Sequence, residues 1–321
     1  MGAFHILGSI AGFLVLLKVY LKLTTGWCES KVCLVGKTVI VTGANTGIGY
    51  EAALEFAKRG ARVILACRNE VKAIEARNRI IRLTLNKNVA VKQLDLSKLS
   101  SVRNFANEIL KSEERVDILV NNAGMASTKS KLTEDGLQLG MQVNYFGPFL
   151  LTLLLLDLLK KSAPSRIINV SSRLADHAKL TAENLTKYQG TYYTYNNSKL
   201  CIILFTIKLA QLLEDDQVYV FSLHPGVIKT DIFRVMRGWR KWIVDTFKET
   251  YFKSAEEGAQ TTIHTAIAQG IEKHTGGHFQ DCELIPPYKH AQNPKLCLDI
   301  WNKTLELLNL PNTYEKLPSK Y

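Results

Sequence analysis

The chain is poor in cysteine, with six in 321 residues, at 28, 33, 67, 201, 282 and 297. None forms a CxxC pair or alternates with histidine, which excludes a disulfide scaffold and a zinc site and points to reduced, mostly buried thiols. No set of histidines and carboxylates has metal-ligand spacing either, so no metal is expected. Internal repeats, low-complexity tracts and Pro/Gly/Ser-rich linkers are missing, so nothing divides the chain after its first turns. Acid is the scarcer charge, 29 residues against 41 basic, for a net +12. Such an excess invites a polyanion. Yet no nucleic-acid motif and no aromatic-basic stacking platform accompanies it, so the sequence gives no sign of a nucleic-acid partner. A bilayer surface and a phosphate-bearing cofactor remain.

What is there begins with one long apolar run. Ile6 to Leu17 is apolar apart from Ser9, and Phe4 to Leu23 spans about the 20 residues a bilayer helix needs if Lys18 and Lys22 snorkel. A cleaved signal peptide carries positive charge before its apolar run; here Lys18, Lys22, Lys31 and Lys37 all follow it. Residues 1–24 therefore read as a membrane anchor, with residue 24 onward in the cytosol. A buried helix is the other reading. Myristoylation would need Ser or Thr where Ile6 stands.

After Gly36 short β-rich runs alternate with helical stretches. Thr38 to Thr42, Arg62 to Ala66, Val89 to Gln93, Asp117 to Asn121, Arg166 to Ser171 and Val218 to Leu223 read as strands. Helical segments fall at Ile48 to Arg59, Asn69 to Leu85, Leu99 to Lys111, Gly136 to Lys160 and Tyr195 to Leu213. Several strands are nearly all apolar, as strands covered on both faces are. The expectation is an α/β protein: one doubly wound Rossmann domain with a parallel sheet over residues 37–310, and a loosely ordered tail at 311–321.

Immediately after the first strand comes Thr42-Gly43-Ala44-Asn45-Thr46-Gly47-Ile48-Gly49, then a helix. Gly43 permits the tight turn, Gly47 lets backbone approach a pyrophosphate, and Gly49 lets helix and strand pack closely. Strand before and helix after make this a dinucleotide loop. Gly36-Lys37-Thr38 mimics the end of a P-loop, but a strand follows it and the earlier glycine is replaced by Lys31. The second strand ends Ala66-Cys67-Arg68, with no carboxylate for a ribose 2′-hydroxyl and a guanidinium suited to a 2′-phosphate, so NADP(H) is expected. Asp95, with Leu96 beside it after the third strand, is an adenine-contact candidate or a turn residue.

Tyr195 and Lys199, in Tyr-Asn-Asn-Ser-Lys, stand four residues apart on one helix face. An ammonium there, with a positive nicotinamide nearby, would lower a phenol toward the range for proton transfer. Their company is the glycine loop, Asn121-Asn122-Ala123-Gly124 after the fourth strand, Asn144, and Ser171-Ser172 ending the fifth strand.

Across residues 37–285 these motifs, with His224-Pro225-Gly226 and Thr230, stand in the order of the short-chain dehydrogenase/reductase family, which the sequence strongly resembles. The resemblance implies that Tyr195 is the general acid/base, Lys199 binds the nicotinamide ribose and tunes Tyr195, Ser172 polarises the substrate oxygen, and Asn144 holds a proton-relay water. It further implies that Asn122, Ala123, Gly124, Pro225, Gly226, Val227 and Thr230 line the cofactor cleft, and that subunits pair as homodimers through the helices of 136–160 and 195–213. The anchor, Leu65-Ala66-Cys67-Arg68 and the long insertion between Ser172 and Tyr195 resemble the microsomal retinol dehydrogenases that use NADP(H). That implies retinal reduction on the cytosolic face of the endoplasmic reticulum. A steroid, fatty aldehyde or sesquiterpenoid substrate, or an inactive dinucleotide-binding scaffold, are the alternatives. The one departure, YNNSK where YCHSK is usual, touches retinoid preference and not proton transfer.

Residues 232–243 alternate apolar and basic residues. Phe233, Met236, Trp239 and Ile243 suit a substrate lid, and the interleaved Arg234, Arg237, Arg240 and Lys241 suit a bilayer contact. His177 and His224 read as ordinary structural residues. Asn169 and Asn196 lie in N-x-[ST] strings at positions where a glycan would prevent packing, which agrees with a cytosolic domain.

Overall fold

The computed structural model describes residues 12, 16–126, 130–228 and 252–311. Most of the expected anchor, the tail from 312, Thr230 and the lobe with Phe233, Met236, Trp239 and Ile243 lie outside the described residues. Eight strands form one sheet: β1 (Thr38–Thr42), β2 (Arg62–Cys67), β3 (Val89–Gln93), β4 (Ile118–Asn121), β5 (Ser165–Val170), β6 (Val218–His224), β7 (His278–Gln280) and β8 (Glu283–Ile285). Their order is β3-β2-β1-β4-β5-β6-β7-β8, parallel except for the β7–β8 pair. The chain leaves β1 toward one edge and returns at β4 toward the other. That reversal opens a crevice at the carboxyl ends of the strands, where such sheets bind ligands. This is a single Rossmann-like α/β domain.

Eight helices are used below: α1 (Gly47–Lys58), α2 (Glu70–Thr84), α3 (Leu99–Ser112), α4 (Gly147–Leu154), α5 (Leu156–Lys161), α6 (Gly190–Leu212), α7 (Ala255–Ile267) and α8 (Pro294–Leu307). Strand alternation sends Val39, Val41, Val63 and Leu65 to a core with α1, α2 and α7, and Ile40, Ile64 and Leu119 to a core with α3, α4, α6 and α8.

The structure adds β7, β8, α7 and α8 to the expected elements and departs from the sequence reading within two of the expected helices. The helix expected over 136–160 is split into a short turn at Leu139–Met141, a wide π-turn at Gln142–Phe146, then α4 and α5. Pro148 sits in the first turn of α4, where its missing N–H costs nothing, and Gly147 lets that turn approach the Leu96 carbonyl, which a Cβ would meet at 2.9 Å. Helix α6 starts five residues before Tyr195, at Gly190 with its φ of 80, so the tyrosine is inside the helix and not at its frayed end.

Before β1, residues 16–23 are helical. No described helix is long and apolar enough to cross a membrane. Lys22 pairs with Glu257, which also closes a capping box with Ser254 at the start of α7.

Helix α8 seals the outward side of α4 and α6. Trp301, 1% exposed, stacks on Phe205 and meets Phe149 edge-on, while Tyr145 Oη and Thr304 Oγ1 lie 2.9 Å apart. Trp301→Ala should lower the unfolding free energy by about 3–5 kcal/mol, the usual cost of emptying a core site of this size. Chemical denaturation measures it, and a loss under about 1 kcal/mol would mean that α8 is not packed as described.

Candidate active site

The glycine loop leaves β1 with Gly43 at φ 66 and Gly47 at φ 61, both in the left-handed region. At Gly49 a Cβ would strike the Asn122 carboxamide and stand 2.7 Å from the Gly43 carbonyl, so α1 packs against the loop only because glycine is there. Thr42 Oγ1 donates to the Val120 carbonyl at 3.3 Å and accepts from the amides of Asn122 and Ala123, each at 3.0 Å. Asn122 Nδ2 donates to the Thr42 carbonyl at 2.8 Å. The two strand ends are thereby stapled to each other.

The loop's other side is open. No atom lies within 4 Å of a Cβ placed on Gly47, the Thr46 hydroxyl makes no cap bond, and Asn45 and Ile48 are half-buried. Arg68 is exposed at the end of β2, and no described residue pairs with it. Beside it the buried Cys67 sulfur faces the amides of Ala44 and Asn45, and burial pushes its thiol up to about 11. Asp95 is tied down locally: one carboxylate oxygen accepts from Ser97 N at 3.0 Å and Ser97 Oγ at 2.7 Å, the turn role of its two readings, with Leu96 buried next to it. These features fit a dinucleotide: an approachable helix N-terminus, room at Gly47 and an unengaged guanidinium at the ribose end.

The reactive side chains meet at the ends of β4 and β5. Ser171 Oγ is buried and donates to the Lys199 carbonyl at 2.7 Å, so it is committed to holding α6. Ser172 is half-buried, accepts from Leu174 N at 3.2 Å, and its hydroxyl lies near enough to the Tyr195 phenol to favour the phenolate. Of the two serines, Ser172 is therefore the one beside the tyrosine. Lys199, 4% exposed, donates to the Val170 carbonyl at 2.9 Å and lies 5.7 Å from the Tyr195 ring centroid.

Asn144 sits in the π-turn, a distortion that often marks functional sites. Its Oδ1 accepts from Met125 N at 2.8 Å, and its Nδ2 donates to Met125 O and Ser198 Oγ, each at 2.9 Å. Ser198 Oγ in turn donates to the Tyr195 carbonyl at 2.7 Å. Gly124 lies between them: a Cβ would stand 3.3 Å from Lys199 Nζ and 3.5 Å from Asn144 Oδ1.

Electrostatics here are governed by burial. It pushes the Tyr195 phenol up to about 12, against the opposing hydrogen bond from Ser172. It pushes the Lys199 ammonium down to about 8. A phenol lowered by its neighbouring lysine is thus not what the protein alone presents, because the ammonium donates to the Val170 carbonyl and burial dominates at both groups.

At the end of β6 lie His224, Pro225, Gly226 and Val227. Gly226 has φ 91, and a Cβ on it would meet Lys253 Cδ at 2.7 Å. Lys253 donates its amide to the Val227 carbonyl at 2.9 Å and pairs its ammonium with Asp281. His224 is buried, and burial, then the Lys253 charge, pushes it down to about 4. His177 is exposed.

Sequence reasoning missed Thr42, Ser198, Asn169 and Thr206, and gave Asn121 no role. Their partners lie 3 to 80 residues away, and a polar residue in an apolar run was the only available signal.

A model of the short chain dehydrogenase family matches residues 37–241, well over half of the chain, which therefore belongs to that family and is an oxidoreductase of the nicotinamide-dinucleotide-binding, alcohol dehydrogenase type. Over 295 residues it is 43% identical to retinol dehydrogenase 11 of Homo sapiens, covering 90% of this chain and 91% of that protein. Over 312 residues it is 42% identical to retinol dehydrogenase 13 of Mus musculus, covering 95% and 93%. Among solved structures it is similar to an uncharacterised protein from Mycobacterium paratuberculosis, with TM-score 0.71, 28% identity and coverage of 89% and 98%. The RhlG/NADP complex of Pseudomonas aeruginosa superposes with TM-score 0.63 at 26% identity, covering 77% and 95%.

The depressed Lys199 value has a thermodynamic consequence. Unfolded, its ammonium keeps its proton to about 10.5; folded, it releases it near 8. Between those values the unfolded chain binds more protons, so this residue's contribution to stability rises with pH, by at most about 1.4 kcal/mol per unit. In denaturation at pH 7 to 10, wild type should gain on Lys199→Met as pH rises. A constant difference would show that the lysine is not buried as described.

Proposed function

We propose that the chain is an NADP(H)-dependent oxidoreductase interconverting retinol and retinal, reduction favoured, anchored to the endoplasmic reticulum membrane with its Rossmann domain in the cytosol. The observation that carries this reading is the convergence of Tyr195, Ser172 and Lys199 at the carboxyl end of β5, with Lys199 Nζ 5.7 Å from the Tyr195 ring centroid. The substrate follows from relatives about 40% identical that bear the name retinol dehydrogenase. Arg68, exposed at the end of β2 where no carboxylate stands, favours the 2′-phosphate of NADP.

Bound NADPH supplies the hydride. The glycine loop from Gly43 to Gly49, Arg68, the Asp95-Leu96 turn, Asn122 to Gly124, and Pro225 to Val227 with Thr230 would hold it. Tyr195, kept protonated at neutral pH by burial, gives its phenol proton to the carbonyl oxygen as negative charge grows there. Ser172 donates to the same oxygen and stabilises that charge. Lys199 binds the ribose and tunes the phenol, and Asn144 holds the water through which Tyr195 recovers its proton. Phe233, Met236 and Trp239 supply the apolar cover for the substrate chain. Exposed Leu16, Val19, Tyr20, Leu23 and Trp27, with Lys18 and Lys31, support contact with an anionic bilayer.

Purified protein given retinal should oxidise NADPH much faster than NADH, and Tyr195→Phe should lose at least about a hundredfold in kcat. Equal rates for Tyr195→Phe and wild type would refute the mechanism. Arg68→Asp should weaken NADPH by about tenfold or more while leaving NADH binding intact or improved. Cofactor titration by fluorescence checks this, and an unchanged NADPH affinity would remove Arg68 from the phosphate site.

A further inference from the structure

We propose that a buried ladder of four polar side chains, Thr152, Asn121, Asn169 and Thr206, positions the catalytic helix α6 at the height where Tyr195 meets Ser172. The ladder crosses the middle of the protein from α4 to α6. Asn121 Nδ2 donates to Thr152 Oγ1 at 2.9 Å and to Asn169 Oδ1 at 2.8 Å, and Asn169 Nδ2 donates to Thr206 Oγ1 at 2.9 Å. Both end hydroxyls are anchored on their own helices, Thr152 to the Pro148 carbonyl at 2.8 Å and Thr206 to the Ile202 carbonyl at 2.9 Å. All four side chains are 5% exposed or less.

The ladder's place in the chain gives it a function. Asn121 directly precedes Asn122, Ala123 and Gly124. Asn169 lies two residues before Ser171 on the same face of β5, Thr206 lies two turns after Lys199 on α6, and Thr152 lies eight residues after Asn144. Strand β5 therefore grips α6 twice, through Ser171 to the Lys199 carbonyl at 2.7 Å and through Asn169 to Thr206. Two grips at different depths set both the helix's slide along the strand and its rotation. Apolar contacts around them are non-directional and fix neither. A slip of one residue would move α6 by about 1.5 Å and turn it by about 100°. Leucine would fill this space with no polar group to satisfy; instead the core carries Asn121, whose Oδ1 has no partner among the described residues. Geometric specification explains what packing does not.

These are positioning residues, and the proposal rests on Tyr195 and Lys199 being the reacting pair. Thr206→Val keeps the shape and removes the hydroxyl. Its kcat should fall by about tenfold or more, with KM and the dinucleotide Kd within about twofold of wild type, since misplacement of about 1 Å costs rate before binding. Thr206→Ser, which keeps the hydroxyl, should stay within about twofold of wild type in all three.

The triple variant Asn121→Leu, Asn169→Leu, Thr206→Val removes both amides together with the hydroxyl and leaves Thr152 bonded to the Pro148 carbonyl, so no ladder donor is orphaned and its Tm should recover toward wild type while kcat stays low. Recovery of kcat together with Tm, or a wild-type kcat in Thr206→Val, overturns the positioning role. Tyr195→Phe run beside them separates the two ideas: if it stays active, the assignment of the reacting pair fails. If it is dead while the ladder variants turn over normally, only the ladder's role fails.

Discussion

Burying one ammonium at the end of a parallel strand is the constraint around which the rest of this site is arranged. Lys199 is 4% exposed, and its one hydrogen-bond acceptor among the described residues is the Val170 carbonyl at 2.9 Å. An ammonium has three donors, so the arrangement is costly, and that cost appears as a value pushed down to about 8. Everything that touches the lysine is correspondingly restricted. A Cβ at Gly124 would stand 3.3 Å from Nζ, closer than ordinary van der Waals contact, so a larger residue there would press on the lysine. Ser171 gives its hydroxyl to the Lys199 carbonyl, while Ser172 stays free of that bond. Tyr195, one turn back on α6, is half-buried, and burial pushes it up where it pushes the lysine down.

The same constraint accounts for the break in the preceding helix. Asn144 must present Oδ1 to Met125 N and Nδ2 to both Met125 O and Ser198 Oγ, which fixes it against the segment after β4 and against α6 together. A regular helix through Gln142–Phe146 keeps its 3.6-residue repeat; the π-turn adds the local widening that turns this residue inward. Pro148 and Gly147 then restart the helix, the glycine against the Leu96 carbonyl. Cofactor-side and catalytic-side elements thus share one rigid seam, from Leu96 through α4 to α6.

Much of this could be read in the sequence, and the boundary follows the range of the forces. The glycine loop, the six leading strands and the spacing of Tyr195 and Lys199 are local features, set by turn chemistry, alternation and helical periodicity. The order of the sheet came with the βαβ pattern, which leaves few topologies. The split at 142–146 was hidden because periodicity continues across a π-turn, and the early start of α6 because Gly190 reads as loop. Strands β7 and β8 are three residues each, too short for an alternation signal. The ladder is non-local: Asn121 to Asn169 spans 48 residues and Asn169 to Thr206 another 37, and each of these residues alone reads as an imperfection in an apolar run. Arg68 and Asp95 show the difference within a single site, the first placed by its strand end, the second readable as contact or turn, with one of its carboxylate oxygens engaged by Ser97.

The two faces of the sheet are unlike each other for a physical reason. The face under α1, α2 and α7 is mainly apolar, and its fully buried hydroxyls, Thr262 and Thr265, come from α7. The face under α4 and α6 carries the buried amides and hydroxyls of Asn121, Thr152, Asn169 and Thr206 within its apolar core. Such bonds give directional control only where water cannot compete for them. Neither α4 nor α6 could exclude water from its outer side alone. Helix α8 does so, through Trp301 against Phe149 and Phe205 and through Thr304 at Tyr145, each close in sequence to Thr152, Thr206 or Asn144. The final helix, remote from the reacting groups, thereby keeps dry the hydrogen bonds that hold those groups in line.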